Sequence, residues 1–324
     1  MISVIIPLYN KGHVIVNTLR TVFAQTFQNF EVVIVDDGST DDGVQRIKSN
    51  FDDSRIRIYT QQNSGVSVAR NKGVEEALYE YVAFLDGDDE WHPDYLEKVR
   101  QMIDLYPDAA MYCTGGLCIG ADGSTHYRLA EKYIGKILKI NYFDSPYVFS
   151  HTSATTIRKS VFNKSSKFPV GMRRSQDLSC FFEVALLGDT VYCGLPLSKY
   201  VGGIEGQATS KNNDIIKYMY FLTNKFANEI IYSHNSDAKK FFRYDIRHRI
   251  KVYSKKGMME EYYKNLSIES KSLLTWFETF LYKRRNIFLI PYINLTKLFW
   301  RLRRCPIVGD RIDEMKIPVT FRKW

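Results

Sequence analysis

The chain has 324 residues, 45% of them hydrophobic, which suffices for one large domain with an appendage or for two domains and excludes global disorder. Charge is uneven: residues 211–324 hold 24 Lys and Arg against 11 Asp and Glu, a net of +13, and since the whole chain carries +9, residues 1–210 carry −4. A mildly acidic first part joined to a strongly basic tail points to an anionic contact for the tail.

The first 110 residues alternate strand and helix patterns. "ISVIIPLY" is a β-branched apolar run of strand length, and "HVIVNTLRTVFAQ" then places Val16, Leu19, Val22 and Phe23 at helical spacing. "FEVVIVDDGSTDD" predicts a second buried strand stopped by turn residues, followed by a helix in "VQRIKSNF" and a strand in "RIRIYTQ". "SVARNKGVEEAL" predicts a helix, "YVAFLDGDD" a strand, and "HPDYLEKVRQMIDLY" a helix with Pro93 suited to its first turn. Continuous apolar strands separated by helices predict an α/β fold, a mostly parallel sheet covered on both faces. From about 130 to 210 the pattern loosens, and 211–300 reads as mainly helical. This gives a domain at 1–210 and a helical, basic region at 211–324. The five cysteines form no C-x-x-C pair, so neither a disulfide framework nor a zinc site is expected, and a reducing cytoplasm is. "MISVIIPLYN" lacks the basic and apolar segments of a secretion signal, and no run of about 18 uncharged apolar residues predicts a membrane span.

In open α/β sheets, ligands bind beyond the carboxyl ends of the strands. Three strands deliver polar groups there: Tyr9 and Asn10 after the first, Asp36 and Asp37 after the second, Asp86 and Asp88 after the fourth. Asp41 and Asp42 read equally well as turn formers. Like charges as close as Asp86 and Asp88 raise one another's pKa, and a bound cation removes that penalty. Magnesium typically takes one or two protein carboxylates and completes its shell with water and substrate phosphates, which suits a single D-x-D at a strand end. No phosphate-binding P-loop and no dinucleotide fingerprint is present, so a metal–diphosphate clamp is the economical expectation.

In order, "SVIIPLYNKG", "VFAQTFQNFEVVIVDDGSTDD", "NSGVSVARNKG" and "YVAFLDGDDEWHPDYLEK" resemble glycosyltransferase family 2, strongly over residues 2–110, patchily to about 205 and not in the tail. The resemblance implies an inverting enzyme of the nucleotide-sugar-binding A-type fold, dependent on Mn2+ or Mg2+. It implies that Pro7 and Tyr9 line the base pocket, that Asp37 accepts a hydrogen bond from a base such as uracil, and that Asp86 contacts the ribose or the metal shell. Asp88 would be the direct metal ligand. Asn63, Arg70 and Asn71 lie in the matching "N-x-G…ARN-x-G" block, where Arg70 suits either the nucleotide or a structural salt bridge. The family's base is usually the Asp of an "ED" pair. Here the match is Asp177 in "RRSQDLSCFFEVALLG", with Gln176 in place of the Glu. A His or Arg that the family often carries near "YVGGIEGQATS" is missing between Tyr200 and Ser210, leaving Gln207, Thr209 or Lys211 as substitutes. Trp91 reads as packing beneath the D-x-D loop and Cys180 as a buried hydrophobe.

The stretch Leu273 to Cys305 mixes aromatics with two basic clusters, Lys283–Arg284–Arg285 and Arg301–Arg303–Arg304, and sets Leu295, Leu298, Phe299 and Leu302 on one helical stripe. That suits either a helix in a membrane interface or a helical subdomain with a solvated basic face. No nucleic-acid recognition module is visible. The expected activity is transfer of one sugar from a nucleoside-diphosphate sugar, UDP-sugar favoured, to a glycan or lipid-linked acceptor on the cytoplasmic face of the inner membrane, in bacterial surface polysaccharide synthesis. The alternatives are a non-catalytic membrane-binding scaffold and a sugar nucleotidyltransferase. The latter usually carries a Gly-rich basic loop that "PLYNKGHV" lacks.

Overall fold

The computed structural model describes residues 1–172, 175–205, 207, 223–228, 235–255, 259–283, 290–295, 307–308 and 317–321. Thr209, Lys211, Arg284, Arg285 and the second basic cluster with Leu298, Phe299 and Leu302 lie outside them. In chain order, β1 (Ile2–Leu8), α1 (Ile15–Phe23), β2 (Phe30–Asp36), α2 (Gly43–Asn50), β3 (Ile56–Thr60), α3 (Val66–Glu76), β4 (Tyr81–Phe84), β5 (Glu90–Trp91) and α4 (Tyr95–Leu105) follow the expected alternation. Then come β6 (Met111–Ile119), β7 (Thr125–Ala130), β8 (Ile137–Ile140), α5 (Pro146–Phe149), β9 (Thr155–Arg158), α6 (Lys159–Phe162), α7 (Gln176–Leu187) and β10 (Thr190–Val201). The remaining elements are α8 (Ser236–Lys255), α9 (Met259–Asn265), α10 (Ile268–Ser272), α11 (Trp276–Lys283) and β11 (Ile307–Val308).

The sheet runs β11-β7-β6-β9-β4-β1-β2-β3, with β10 along the other edge of β6. It is parallel over β3, β2, β1 and β4, as the continuous apolar strands predict, and turns mixed beyond β4, where β9 pairs antiparallel with both β4 and β6. β9 lies in the stretch where the sequence shows no clear period, and its antiparallel partner β6 and that strand's partner β7 come just before that stretch. β2 is buried along its whole length, and β1 at every residue except the half-buried Pro7. This demands cover on both faces. The register sets Leu8 opposite Asp36, so the chain leaves both strands at one level and delivers Tyr9 and Asp37 to the same edge. On the other flank, Leu85 N–H bonds Ile5 carbonyl at 3.0 Å, and Asp86 follows directly.

α3 lies close on β1 and β2 because Gly73 has no side chain there. A Cβ at that position would stand 2.3 Å from Ile5 Cγ2 and 3.5 Å from Val35 Cγ2. Gly73→Ala therefore destabilises the fold by about 1–3 kcal/mol, overpacking outweighing the gain in helix propensity, and urea denaturation measures it.

The chain divides into two compact units, Met1–Lys211 with Ile307–Trp324, and Asn212–Pro306. In the second, α8 to α11 are helical, as the pattern over 211–300 predicts. No described helix is long and apolar enough to cross a membrane.

Candidate active site

The site forms where β1, β2 and β4 end. Tyr9 is 47% exposed beyond β1, an aromatic face open at the edge, and Pro7 is half-buried before it. Asn10 takes a left-handed turn (φ 51°) and its Oδ1 accepts from Thr40 N–H at 2.8 Å, which ties the β1 loop to the β2 loop. Asp41 reinforces that tie, accepting from Gly12 N–H (2.7 Å) and Gly43 N–H (3.1 Å), while Asp42 pairs with Arg46 one helical turn on. Both are turn builders.

Asp37 is buried. Its Oδ1 accepts from Gln61 Nε2 at 2.7 Å and Ser64 N–H at 2.9 Å, and its Oδ2 from Gly65 N–H at 2.8 Å. A carboxylate offers about four acceptor positions, so Asp37 anchors the β3–α3 loop with three of them and keeps one. The anchored loop carries Asn63, which is exposed at the rim.

Asp86 receives Arg70 from α3 at 2.5 Å. The Arg70 side chain is only 4% exposed, its guanidinium lies 5.3 Å from the Phe168 ring centre, and its Nε and Nη1 have no hydrogen-bond partner among the described residues. Arg70 thus makes a salt bridge with Asp86, and two donors of a buried cation remain unspent among the described residues. Asp88 is held differently. Its Oδ2 accepts from Lys11 Nζ at 2.8 Å and Gln207 Nε2 at 3.3 Å. Lys11 Nζ also donates to Glu205 carbonyl at 2.9 Å, and Gln207 Nε2 to Val201 carbonyl at 2.6 Å. The segment after β10 is thus tied to the D-x-D carboxylate by one lysine and one amide.

Beneath this loop sits a support that sequence reading missed. Ser153 Oγ donates to Asp89 Oδ2 at 2.5 Å and accepts from Asp86 N–H at 3.1 Å, and Ser153 carbonyl accepts from Trp91 Nε1 at 2.6 Å. Trp91 is buried and stacks on Tyr95 (centres 4.0 Å apart), so it packs under the loop as expected. Asp89 is buried. Desolvation first, then the charges of Asp86 and Asp88, push its pKa well above the usual carboxylate range. His151 was also missed. Its Nδ1 lies 3.3 Å from Ser198 Oγ and its Nε2 3.8 Å from Asp89. Burial, then Arg128 and Arg70, lower its pKa to about 3, so it is neutral and a poor proton acceptor.

Asp177 lies in the first turn of α7, after a left-handed Ser175 (φ 59°). It is half-buried and its Oδ1 accepts from Leu178 N–H at 2.8 Å. Burial raises its pKa, Asp86 adds to the rise, and Arg70 and Arg128 oppose it without cancelling it. The same cation, Arg70, therefore pairs with the D-x-D and acts on Asp177 across more than 100 residues of sequence. Cys180 is fully buried one turn further along.

Residues 3–165 match the family model described as Glycosyl transferase family 2. The chain belongs to that family. A putative teichuronic acid biosynthesis glycosyltransferase of Bacillus subtilis, TuaG, is 38% identical over 148 residues, covering 45% of this chain and 56% of the relative. An uncharacterized glycosyltransferase of Escherichia coli, YibD, is 40% identical over 128 residues, covering 38% and 36%. The chain thus spans only part of the curated relatives it matches. Over the whole fold it is similar to residues 1–349 of S. aureus TarS in complex with UDP-GlcNAc, with a TM-score of 0.69, 17% identity, and coverage of 92% of this chain and 91% of that one. The α/β glycosyltransferase fold expected from the motifs is the fold found. Between Tyr200 and Ser210 the sequence holds no cation, and Lys11 reaches that segment from beyond β1 through Glu205 carbonyl.

Proposed function

We propose that this family 2 chain is an inverting glycosyltransferase that moves one sugar from a UDP-sugar to a hydroxyl of a glycan or lipid-linked acceptor in surface polysaccharide synthesis. The observation that carries the reading is the meeting, at one sheet edge, of an open aromatic face, a D-x-D loop, a partly unspent Arg70 and a carboxylate of raised pKa. TuaG's name supports the acceptor class, and the sugar nucleotide in the TarS complex supports the donor. Tyr9 and Pro7 would flank the base, with Asn63 at its rim and Asp37 accepting from it. Asp86 would meet the ribose. Asp177, kept basic enough by burial to take a proton, would deprotonate the acceptor hydroxyl.

The carboxylates present fit a divalent cation of the magnesium type. Among the described residues no cluster of three or more His, Cys, Asp or Glu could enclose a metal, and a single carboxylate such as Asp88 suits an ion whose other positions go to water and substrate phosphates. Asp88 would hold Mn2+ or Mg2+, which when bound neutralises charge on the leaving diphosphate. Lys11 is the competitor for that place. Lys11→Met raises Mn2+ affinity about fivefold, the worth of one part-buried ion pair, as read by manganese electron paramagnetic resonance without donor. Unchanged affinity would show that the pair does not oppose the metal.

The enzyme would work on the cytoplasmic face of the inner membrane, where lipid-linked acceptors present their sugars. Calorimetric titration with UDP, GDP and dTDP, each with and without Mn2+, tests the donor site. UDP should bind and need the metal. A folded protein that binds none of the three leaves only the scaffold reading.

A further inference from the structure

The first residues of α11 turn a polar group inward and aromatics outward. Among its described side chains the polar Glu278 is the buried one, 4% exposed, paired with Arg247 of α8. Glu278 also closes a capping box, its Oε2 accepting from Thr275 N–H at 2.7 Å while Glu278 N–H donates to Thr275 Oγ1 at 3.2 Å. That pair fixes the rotation of the helix, and the aromatics consequently point out. Trp276 is 79% exposed, Phe277 45% and Phe280 40%. Trp276 and Phe280 stack one turn apart, with centres at 5.7 Å. Phe277 meets Tyr292 edge-on at 5.5 Å, which joins α11 to the helical residues 290–295 and extends the apolar face to Leu295, 54% exposed. An aromatic face of this kind is uncommon on a soluble surface and marks a contact.

The charge that follows it in the sequence selects the contact. From residue 279 to 309 the sequence holds seven Lys or Arg and no Asp or Glu. A second copy of the chain would bring like charge against like. A nucleic acid would use single aromatics as stacking platforms, whereas Trp276 and Phe280 stack on each other. Exposed aromatics followed in sequence by a run of basic residues without acidic ones match the headgroup level of an anionic bilayer, where Trp is favoured and basic residues are attracted.

We propose that Trp276, Phe277 and Phe280 of α11 form a wedge that inserts into the headgroup layer of an anionic lipid bilayer, held there by the flanking basic stretch. This deepens the membrane-face reading above by naming the surface and its lipid. It is independent of whether the donor site works.

Full-length protein is mixed with vesicles of phosphatidylcholine alone or with an equal share of phosphatidylglycerol, and sedimented. The protein follows the phosphatidylglycerol vesicles, less so as salt rises, and stays in solution with the neutral ones. Trp276→Ala with Phe277→Ala and Phe280→Ala binds about tenfold more weakly or worse. All three side chains are exposed, so the fold persists, and circular dichroism verifies it. Should the triple variant fail to fold, Trp276→Phe decides: brominated lipid quenches the wild-type fluorescence and loses part of that effect in this variant. UDP titration on the same preparation reports the donor site separately. Wild-type protein that ignores anionic vesicles, or a folded triple variant that binds them as well as wild type, overturns the proposal. So does a variant whose only change is loss of a dimer in sedimentation velocity or loss of RNA binding.

Discussion

Asp177→Asn lowers sugar-transfer turnover roughly a hundred- to ten-thousand-fold, the range of a lost general base, and leaves UDP affinity unchanged. The amide keeps the shape and the contact with Leu178 N–H but accepts no proton. Stability moves the other way. Burial raises the Asp177 pKa in the folded chain above its unfolded value. The stability this group contributes is fully present below the ordinary carboxylate range and is lost as pH rises through the raised value. At pH 7 the charged form therefore costs the fold something, and the neutral Asn raises the melting temperature. Lost turnover with gained stability separates a base from a structural carboxylate, whose replacement would lower both. The pH profile of the wild type carries the same sign: turnover declines on the acid side at a higher pH than an unperturbed Asp would give. A variant that retains turnover hands the base role to another group, and neutral His151 is poorly suited to it.

Asp88→Ala abolishes the metal-dependent part of UDP binding, by about a hundredfold or more, since residues merely behind a metal's ligands already cost tenfold to a hundredfold. Calorimetry with and without Mn2+ measures it. The substitution has a second effect that Lys11→Met lacks. It removes the carboxylate on which both Lys11 and Gln207 converge, so Gln207 loses its bond to the D-x-D and Lys11 keeps only Glu205 carbonyl, and the segment after β10 becomes more sensitive to limited proteolysis. UDP binding that stays metal-dependent in Asp88→Ala would move the metal to Asp86 or Asp89.

Much of the site was legible because it lies at strand ends. Apolar runs that stop in Tyr9, Asp37 and Asp86 declare which edge is polar, and parallel register does the rest. The expected roles of Trp91 and Cys180 followed from ordinary burial. Lys11, Ser153 and His151 were not legible, for a common reason. Their partners are remote, 194 residues away for Lys11 with Glu205 and 64 for Ser153 with Asp89. Ser153 and His151 also sit in the stretch before β9 where no hydrophobic period exists to place them. One signal was available: Lys11 is the first cation beyond β1, next to an edge crowded with carboxylates. The mixed half of the sheet was hidden likewise, since β6 and β10 are buried runs whose partners no local pattern names.

β11 pairs with β7, Ile307 opposite Ala130 and Val308 opposite Leu129, and Ile317 and Phe321 join the core beside α4, with Phe321 against His92. The chain thus leaves the first unit near Lys211 and returns to it at Ile307. A fragment cut at residue 210 would bare the hydrogen-bonding edge of β7 and leave an apolar hollow where Phe321 was. Unpaired strand edges beside apolar surface recruit one another. Such a fragment, holding every residue assigned to chemistry, would be prone to aggregate, because Ile307, Val308, Ile317 and Phe321 close that edge and fill that hollow.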